Sequence, residues 1–235
     1  MNHPVAVITG AGKGIGRATA IELARRGYAL AVAARNETDL LATLNVADAD
    51  DRGVAIPTDV SVPAEVHRLV DGAVERFGRV DAVVHCAGVA PVRSVAEMSV
   101  DEWRQVIDTN LSAAFYLAKA AWPHFVRQGG GVLVNVSSMA SRDPFPGFAA
   151  YAAAKAGLNL FGLSAAREGQ AVHVRCHTIA PGAVETEMFR KLMTVEQFPK
   201  EKTLDPADVA RTIAACVHGD LKYASGEVIY LHKTV

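Results

Sequence analysis

A chain of 235 residues that is half hydrophobic and 21% charged is not disordered, because it can bury enough apolar surface to offset the entropy of ordering. Its 24 Lys and Arg against 25 Asp and Glu leave a net charge of −1, which excludes the basic field of non-specific nucleic-acid binding. Three scattered cysteines, Cys86, Cys176 and Cys216, make no disulfide framework and read as reduced thiols of a cytoplasmic protein. Met1–Pro4 carries no basic region ahead of an apolar run, so no signal peptide is expected. Charges or prolines interrupt every long apolar run, so no membrane span is expected.

Short β-branched runs alternate with longer helical patterns, as in βαβ units around a parallel sheet. Val5–Thr9 predicts a strand that ends at a glycine cluster. Ile15, Ala18, Ala20, Leu23 and Ala24 fall at helical spacing, giving a helix over Ile15–Arg26 that Gly27 stops. Tyr28–Ala34 is a second strand and Thr38–Ala47 a second helix. Val54–Pro57 is a third strand, followed by a helix over Pro63–Phe77 with proline early and Gly78 behind it. Ala82–His85, Val132–Val136 and Val172–Ile179 are further strands, separated by helices over Asp101–Arg127 and Tyr151–Arg167. Pro206–His218 is helical and Glu227–Leu231 is a last strand. Phe189–Leu204 breaks the pattern: polar and proline-containing, it reads equally as a lid over a substrate site or as a mobile insertion. With no repeat and no linker, residues 1–235 form one α/β domain. Its expected architecture is a doubly wound parallel sheet of about seven strands with helices on both faces.

Thr9-Gly10-Ala11-Gly12-Lys13-Gly14-Ile15-Gly16 joins the first strand to the first helix. Glycines there let the backbone turn tightly and approach a pyrophosphate, whose charge a helix N-terminus favours. The spacing of Gly10, Gly14 and Gly16 is not G-x-G-x-x-G, and a tight turn without a ligand is the competing reading. Its place after the first strand of an open parallel sheet favours the ligand. A carboxylate about 20 residues further on would hold the ribose hydroxyls of NAD. The second strand ends instead in Ala33-Ala34-Arg35, with no acid before Glu37. Arg35 and Lys13 supply two cations for a 2′-phosphate, so NADP is favoured over the reading of both as ordinary solvated charges.

Tyr151 and Lys155 are four residues apart in a predicted helix, on one face and one turn apart. A free tyrosine has a pKa near 10, and a neighbouring cation would lower it toward the working range of a proton-transfer group. Val134-Asn135-Val136-Ser137-Ser138 brings the Ser138 hydroxyl to the carboxyl end of a strand, where it can hydrogen-bond a substrate oxygen. Tyr-x-x-x-Lys alone is a common accident on helix surfaces; beside the glycine loop it becomes specific.

Together these residues resemble the classical short-chain dehydrogenase/reductase family over nearly the whole chain. Thr9–Gly16 matches its T-G-x-x-x-G-x-G, Asp59-Val60 its adenine-side pair and Asn110 its helix asparagine. Ser138, Tyr151 and Lys155 match its catalytic serine and Y-x-x-x-K, and Pro181-Gly182 with Thr186 matches its P-G-x-x-x-T. The resemblance implies a Rossmann-type fold and four catalytic residues, Asn110, Ser138, Tyr151 and Lys155. Tyr151 would transfer the proton at the carbonyl or alcohol oxygen, Ser138 would orient that oxygen, and Asn110 would hold a water relaying protons to Lys155. It also implies that Lys155 holds the nicotinamide ribose and lowers the Tyr151 pKa, and that Pro181, Gly182, Val184 and Thr186 seat the nicotinamide. Ile15, Ala87 and Gly88 would lie around the middle of the cofactor.

Three departures stand out. The family's N-N-A-G is here His85-Cys86-Ala87-Gly88, read as a packed substitution in which an imidazole can still donate and accept. His177 stands where many members carry asparagine; with His173 it makes an alternating pair on the predicted strand, without the third ligand a metal site needs. Leu231-His232-Lys233-Thr234-Val235 lacks the D-G-G tail of many members.

The leading reading is an NADP-dependent oxidoreductase that interconverts a carbonyl and a secondary alcohol, in the reductive direction, on a ketone or 3-oxoacyl substrate. Met139–Phe148 and Ala183–Leu204, with Phe145, Phe148, Met188, Phe189, Leu192 and Met193, would wall the substrate site. The alternatives are a non-catalytic NADP-binding sensor or scaffold, which four retained catalytic residues oppose, and an epimerase or dehydratase, for which too little chain follows Pro181-Gly182. No nucleic-acid or membrane partner is expected. The resemblance also implies a homo-oligomer, dimer or tetramer, built on the Asp101–Arg127 and Tyr151–Arg167 helices.

Overall fold

Successive residues of the strands are apolar in both directions, and the fold buries both. The computed structural model describes residues 3–233. Its strands are β1 (Val5–Thr9), β2 (Ala29–Ala34), β3 (Gly53–Pro57), β4 (Ala82–His85), β5 (Gly131–Val136), β6 (Val174–Pro181) and β7 (Val228–Leu231). Its helices are α1 (Gly14–Arg25), α2 (Glu37–Val46), α3 (Pro63–Phe77), α4 (Val100–Ile107), α5 (Ala113–Gln128), α6 (Ala149–Gly169), α7 (Glu187–Leu192) and α8 (Pro206–His218). Every strand pairing is parallel, in the order β3-β2-β1-β4-β5-β6-β7. The order reverses between β1 and β4, which opens a crevice at their carboxyl ends.

Alternate strand residues feed two cores. Ala6, Ile8, Leu30, Val32, Val84 and Val134 pack against Leu23 of α1, Leu40 of α2 and Ile213 of α8. Val7, Ala31, Val83 and Leu133 pack on the other face against Leu69 of α3 and Leu117 and Phe125 of α5. Each fully buried Leu or Phe contributes about 1.5–3 kcal/mol, so the two cores hold the sheet between its helix layers. The expected fold class is what the molecule adopts. Among the described residues, no helix is long and apolar enough to cross a membrane.

The stretch read as one helix over Asp101–Arg127 is α4 and α5 joined by a π-helical turn at Asp108–Ser112. The cause is Asn110. Its Nδ2 donates to the Val106 carbonyl at 2.9 Å, the acceptor that its own backbone N–H would use in an α-helix, and the ladder slips by one residue. The predicted strand Val172–Ile179 begins two residues late and runs to Pro181, where it pairs with Leu231 of β7. His173 is therefore off the strand, exposed and left-handed at φ 57°, so the alternating pair with His177 does not form. Thr234 and Val235, the end of the divergent tail, lie outside the described residues, as do Met1 and Asn2.

Candidate active site and cofactor cleft

The glycine loop leaves β1 at the crevice and enters α1. Lys13 is the N-cap of α1, extended and without a side-chain cap bond, and no acid stands in the first turn. The first amides of α1 are thus uncompensated donors, the arrangement an anionic pyrophosphate fits. Gly10 adopts φ +63°, and a Cβ on it would lie 2.8 Å from the Ala87 nitrogen. Gly14 adopts φ +53°, and a Cβ there would press on the Thr186 methyl at 3.1 Å. A Cβ at Gly16 would clash with the Gly10 carbonyl oxygen, a backbone atom that has no room to yield. Gly16→Ala is expected to lose about 1–3 kcal/mol by forcing α1 off the loop. A urea melt beside a dinucleotide titration should show both stability and binding reduced.

The cations expected near a 2′-phosphate are placed differently from one another. Arg35 follows β2 and is exposed, with no ion pair among the described residues, close enough to Asp59 to help hold that carboxyl below its usual range behind the Ser61 hydroxyl bond. Lys13 is engaged: its Nζ lies 3.1 Å from Glu187 Oε2 and 3.8 Å from Asp39 Oδ2. The Asp39 Cβ would also touch a Cβ on Gly12 at 3.0 Å, so this carboxylate stands at the mouth of the loop. Asp39 went unnoticed in the sequence because it lies in the first turn of α2, past the strand end where a ribose-binding acid is sought. Asp59 and Val60 sit beyond β3; the Asp59 N–H donates to Glu65 Oε2 at 2.7 Å and Val60 is buried.

The four catalytic candidates converge at the carboxyl ends of β4 and β5. Ser138 follows β5, and its Oγ accepts the Ala140 N–H at 3.1 Å, leaving the hydroxyl proton to donate. It lies near enough to the Tyr151 phenol to draw its pKa down. Tyr151 lies in the first turn of α6, its ring held against Phe148 at 5.5 Å between centroids. One turn on, Lys155 is buried, its Nζ donating to the Val136 carbonyl at 2.7 Å and lying 5.6 Å from the Tyr151 ring centre. Burial pushes Lys155 down to about 8. It also pushes the Tyr151 phenol up, against the smaller pull of the Ser138 hydrogen bond. The expected lowering of Tyr151 by Lys155 is thus not found: desolvation outweighs a cation turned toward Val136. Asn110 is fully buried in the π turn, its amide donating to Val89 O at 2.9 Å and its Oδ1 accepting Val89 N–H at 3.3 Å. A Cβ on Gly88 would lie 2.7 Å from that Oδ1 and 3.7 Å from Lys155 Nζ, so Gly88 passes close to both without bonding either.

This constellation can be compared with known proteins. The family model described as short chain dehydrogenase matches residues 4–197. The chain belongs to the short-chain dehydrogenase family. It is 32% identical over 236 residues to a 3-oxoacyl-[acyl-carrier-protein] reductase of Staphylococcus epidermidis, covering 97% of this chain and 96% of that protein. The corresponding reductase of Vibrio cholerae is 32% identical over 234 residues, covering 97% and 95%. Among solved structures, levodione reductase superposes with a TM-score of 0.90 at 27% identity, covering 97% and 96% of the two chains. As a short-chain dehydrogenase the protein is an oxidoreductase of the nicotinamide-dependent kind.

The family's downstream motif closes the cleft. Pro181 ends β6, the Gly182 N–H donates to Leu231 O at 2.7 Å, and Val184 is buried and bridged to Leu204. Thr186 caps α7, its hydroxyl accepting the Phe189 N–H at 3.2 Å. Residues 189–204 are ordered about Arg190, a residue the sequence reading missed. Arg190 pairs with Glu185 through two N–H groups and donates to the carbonyls of Met193, Thr194 and Phe198; Thr203 Oγ1 donates to the same carboxylate at 2.9 Å. Phe189 packs edge-on to Phe198 at 5.4 Å. Glu185 and Arg190 are five apart and straddle the start of α7, a separation that no helix-pair rule flags. Of the expected substrate wall, Phe148 is buried beside Tyr151, Leu192 and Met193 are half-buried, and Phe145 and Met188 are exposed.

Proposed function

We propose that the protein is an NADP-dependent reductase that converts a ketone or 3-oxoacyl thioester into a secondary alcohol. The observation that carries this reading is the convergence of Ser138, Tyr151 and Lys155 beside the uncapped N-terminus of α1. When bound, the reduced nicotinamide supplies the hydride. Tyr151, protonated at neutral pH, donates its phenolic proton to the oxygen on which charge develops. Ser138 donates a hydrogen bond to the same oxygen. Lys155, lowered to about 8 by burial, can give up an ammonium proton to restore the Tyr151 phenol and take one back from solvent, and Asn110 fixes the backbone of Val89 beside Gly88. Pro181, Gly182, Val184 and Thr186 would seat the nicotinamide, and Gly10 to Gly16 the pyrophosphate. The 3-oxoacyl reductase relatives and the apolar side chains on 189–204 support a 3-oxoacyl substrate.

The 2′-phosphate falls to Arg35 first, because Lys13 must be drawn from Glu187 and Asp39. Arg35→Ala is expected to weaken NADPH binding about tenfold, the value of one charge-assisted contact, and to leave NADH unchanged. Glu187→Gln removes the nearer of the two carboxylates that hold Lys13 and is expected to tighten NADPH alone. Fluorescence titrations of both cofactors check both variants.

A homo-oligomer through α5 and α6 belongs to the same proposal. Phe115 and Leu160 stand 49% and 70% exposed on these helices, an apolar surface that a second copy would cover. Light scattering of the wild type and of Leu160→Glu tests it, the variant dissociating if the helices form the contact.

A further inference from the structure

Tyr151, Lys155 and Asn159 stand four residues apart and mark one stripe along the first three turns of α6, and the last of them has no role in the chemistry above. Lys155 and Asn159 reach from this stripe to the end of β5 and to the 3₁₀ turn Met139–Ser141 that follows it. Before Ser138, Lys155 Nζ donates to the Val136 carbonyl at 2.7 Å and the Ser137 hydroxyl donates to the Lys155 carbonyl at 3.2 Å. After Ser138, the Asn159 amide Nδ2 donates to Ser141 Oγ at 3.0 Å. Ser141 closes the turn on Ser138: its N–H donates to the Ser138 carbonyl at 3.0 Å and its hydroxyl to the same oxygen at 2.6 Å. A carbonyl oxygen only accepts, so the single proton of Ser141 Oγ is spent there and the group that meets it from α6 must be an N–H. This fixes which way the Asn159 amide faces, and it leaves Oδ1 buried with no hydrogen-bond partner among the described residues. An orphaned buried acceptor costs stability, so this amide is a poor device for holding the fold and a specific one for holding Ser141.

We propose that Asn159 is a positioning residue: through Ser141 it sets the turn that aims the Ser138 hydroxyl at the substrate oxygen. The catalytic consequence rests on the carbonyl-reductase reading; the hydrogen-bond chain does not. Ser138 is extended, at φ −159° and ψ 154°, and its Oγ takes its direction from the Ala140 N–H, 3.1 Å away inside the turn. A tilt of the turn therefore rotates the hydroxyl. Ser141 is half-buried, so without Asn159 its Oγ accepts from water instead, and the turn loses its tie to the helix that carries Tyr151. The proton donor and the hydroxyl that orients the substrate oxygen then no longer share one frame, and transfer between aligned groups needs that frame. Lys155 and Ser137 still hold β5 to α6 on the other side of Ser138, so the cofactor cleft keeps its shape.

Asn159→Leu keeps the branching of the side chain and removes both the donor and the orphaned acceptor. It is expected to lower kcat about tenfold, with the NADPH Kd changed by less than about threefold. Ser141→Ala should lose about as much, and the double variant no more than either single one, because both cut the same tie. Ser141→Thr, which keeps the hydroxyl, should retain most of the rate. A wild-type kcat in Asn159→Leu, losses that multiply in the double variant, or an equal loss of NADPH affinity overturns the proposal. If Asn159→Leu does not fold, Ser141→Ala decides alone: a tenfold lower kcat at unchanged NADPH affinity supports the tie, and a wild-type kcat refutes it. A wild type that binds NADPH and reduces no carbonyl ends the functional reading. The exchange rate of the Ser141 amide proton, followed by NMR, then still decides the tie: it is expected to rise about tenfold in Asn159→Leu, and an unchanged rate contradicts the role of Asn159.

Discussion

Tyr151→Phe is expected to lower kcat about 10²–10⁴-fold while NADPH affinity changes by less than about threefold, the loss that follows from removing a general acid. The substitution deletes one hydroxyl and keeps the ring that packs at a tilt against Phe148, so the start of α6 and the lining of the site survive. What disappears is the proton donor next to Ser138. A tyrosine at its ordinary pKa near 10 is already protonated at neutral pH, and burial pushes the phenol further up. A phenol that stays protonated at neutral pH is suited to donating to a developing alkoxide; the oxidative direction would need it ionised. Reduction should therefore hold its rate over neutral pH, and alcohol oxidation should rise with pH. Initial rates in both directions, with cofactor binding measured separately, decide this. An active Tyr151→Phe would remove Tyr151 from the chemistry.

Acid should destabilise the fold through two buried imidazoles. Burial, with Lys155 nearby, pushes His85 down to about 3; burial, with Arg175 nearby, pushes His177 down to about 4. Neither His177 nitrogen has a hydrogen-bond partner. In the unfolded chain a histidine takes its proton near pH 6.5. Between that value and the folded pKa, the unfolded state binds the extra proton, so stability is intact above about pH 6.5 and falls as pH drops toward the folded values. From about pH 7.5 to about pH 5 each histidine removes about 2 kcal/mol, and the pair about 4 kcal/mol. Glu185 and Glu187, both held down to about 2 by their cationic partners, act only below the ordinary carboxylate range and leave this window to the histidines. Urea unfolding at the two pH values should show the drop, and His177→Leu should remove about half of it. A pH-independent midpoint would mean that both rings find partners.

The sheet was legible because its signals are local. Short apolar runs marked all seven strands, three of them ending at Gly10, Pro57 and Pro181, and Gly27, Gly78 and Pro206 marked helix ends. The site was legible as motifs because Thr9–Gly16, Tyr151 to Lys155 and Pro181 to Thr186 each lie within one turn or loop. What escaped depends on contacts between distant segments. The π turn follows from the Asn110 side chain reaching Val106 and Val89, and no periodicity records that. The order of 189–204 follows from one guanidinium gathering Glu185 and three carbonyls. Lys13 read as a free cation because Glu187 is far away in sequence. The Tyr151 pKa was misjudged because the spacing to Lys155 says nothing about burial or about Val136.

The central claim is tested most directly by following cofactor oxidation with NADPH and NADH over a panel of ketones, diketones and 3-oxoacyl thioesters. The account predicts turnover on at least one carbonyl class, with a higher kcat/KM for NADPH. Tight NADPH binding without turnover on any carbonyl, or a clear preference for NADH, would contradict it.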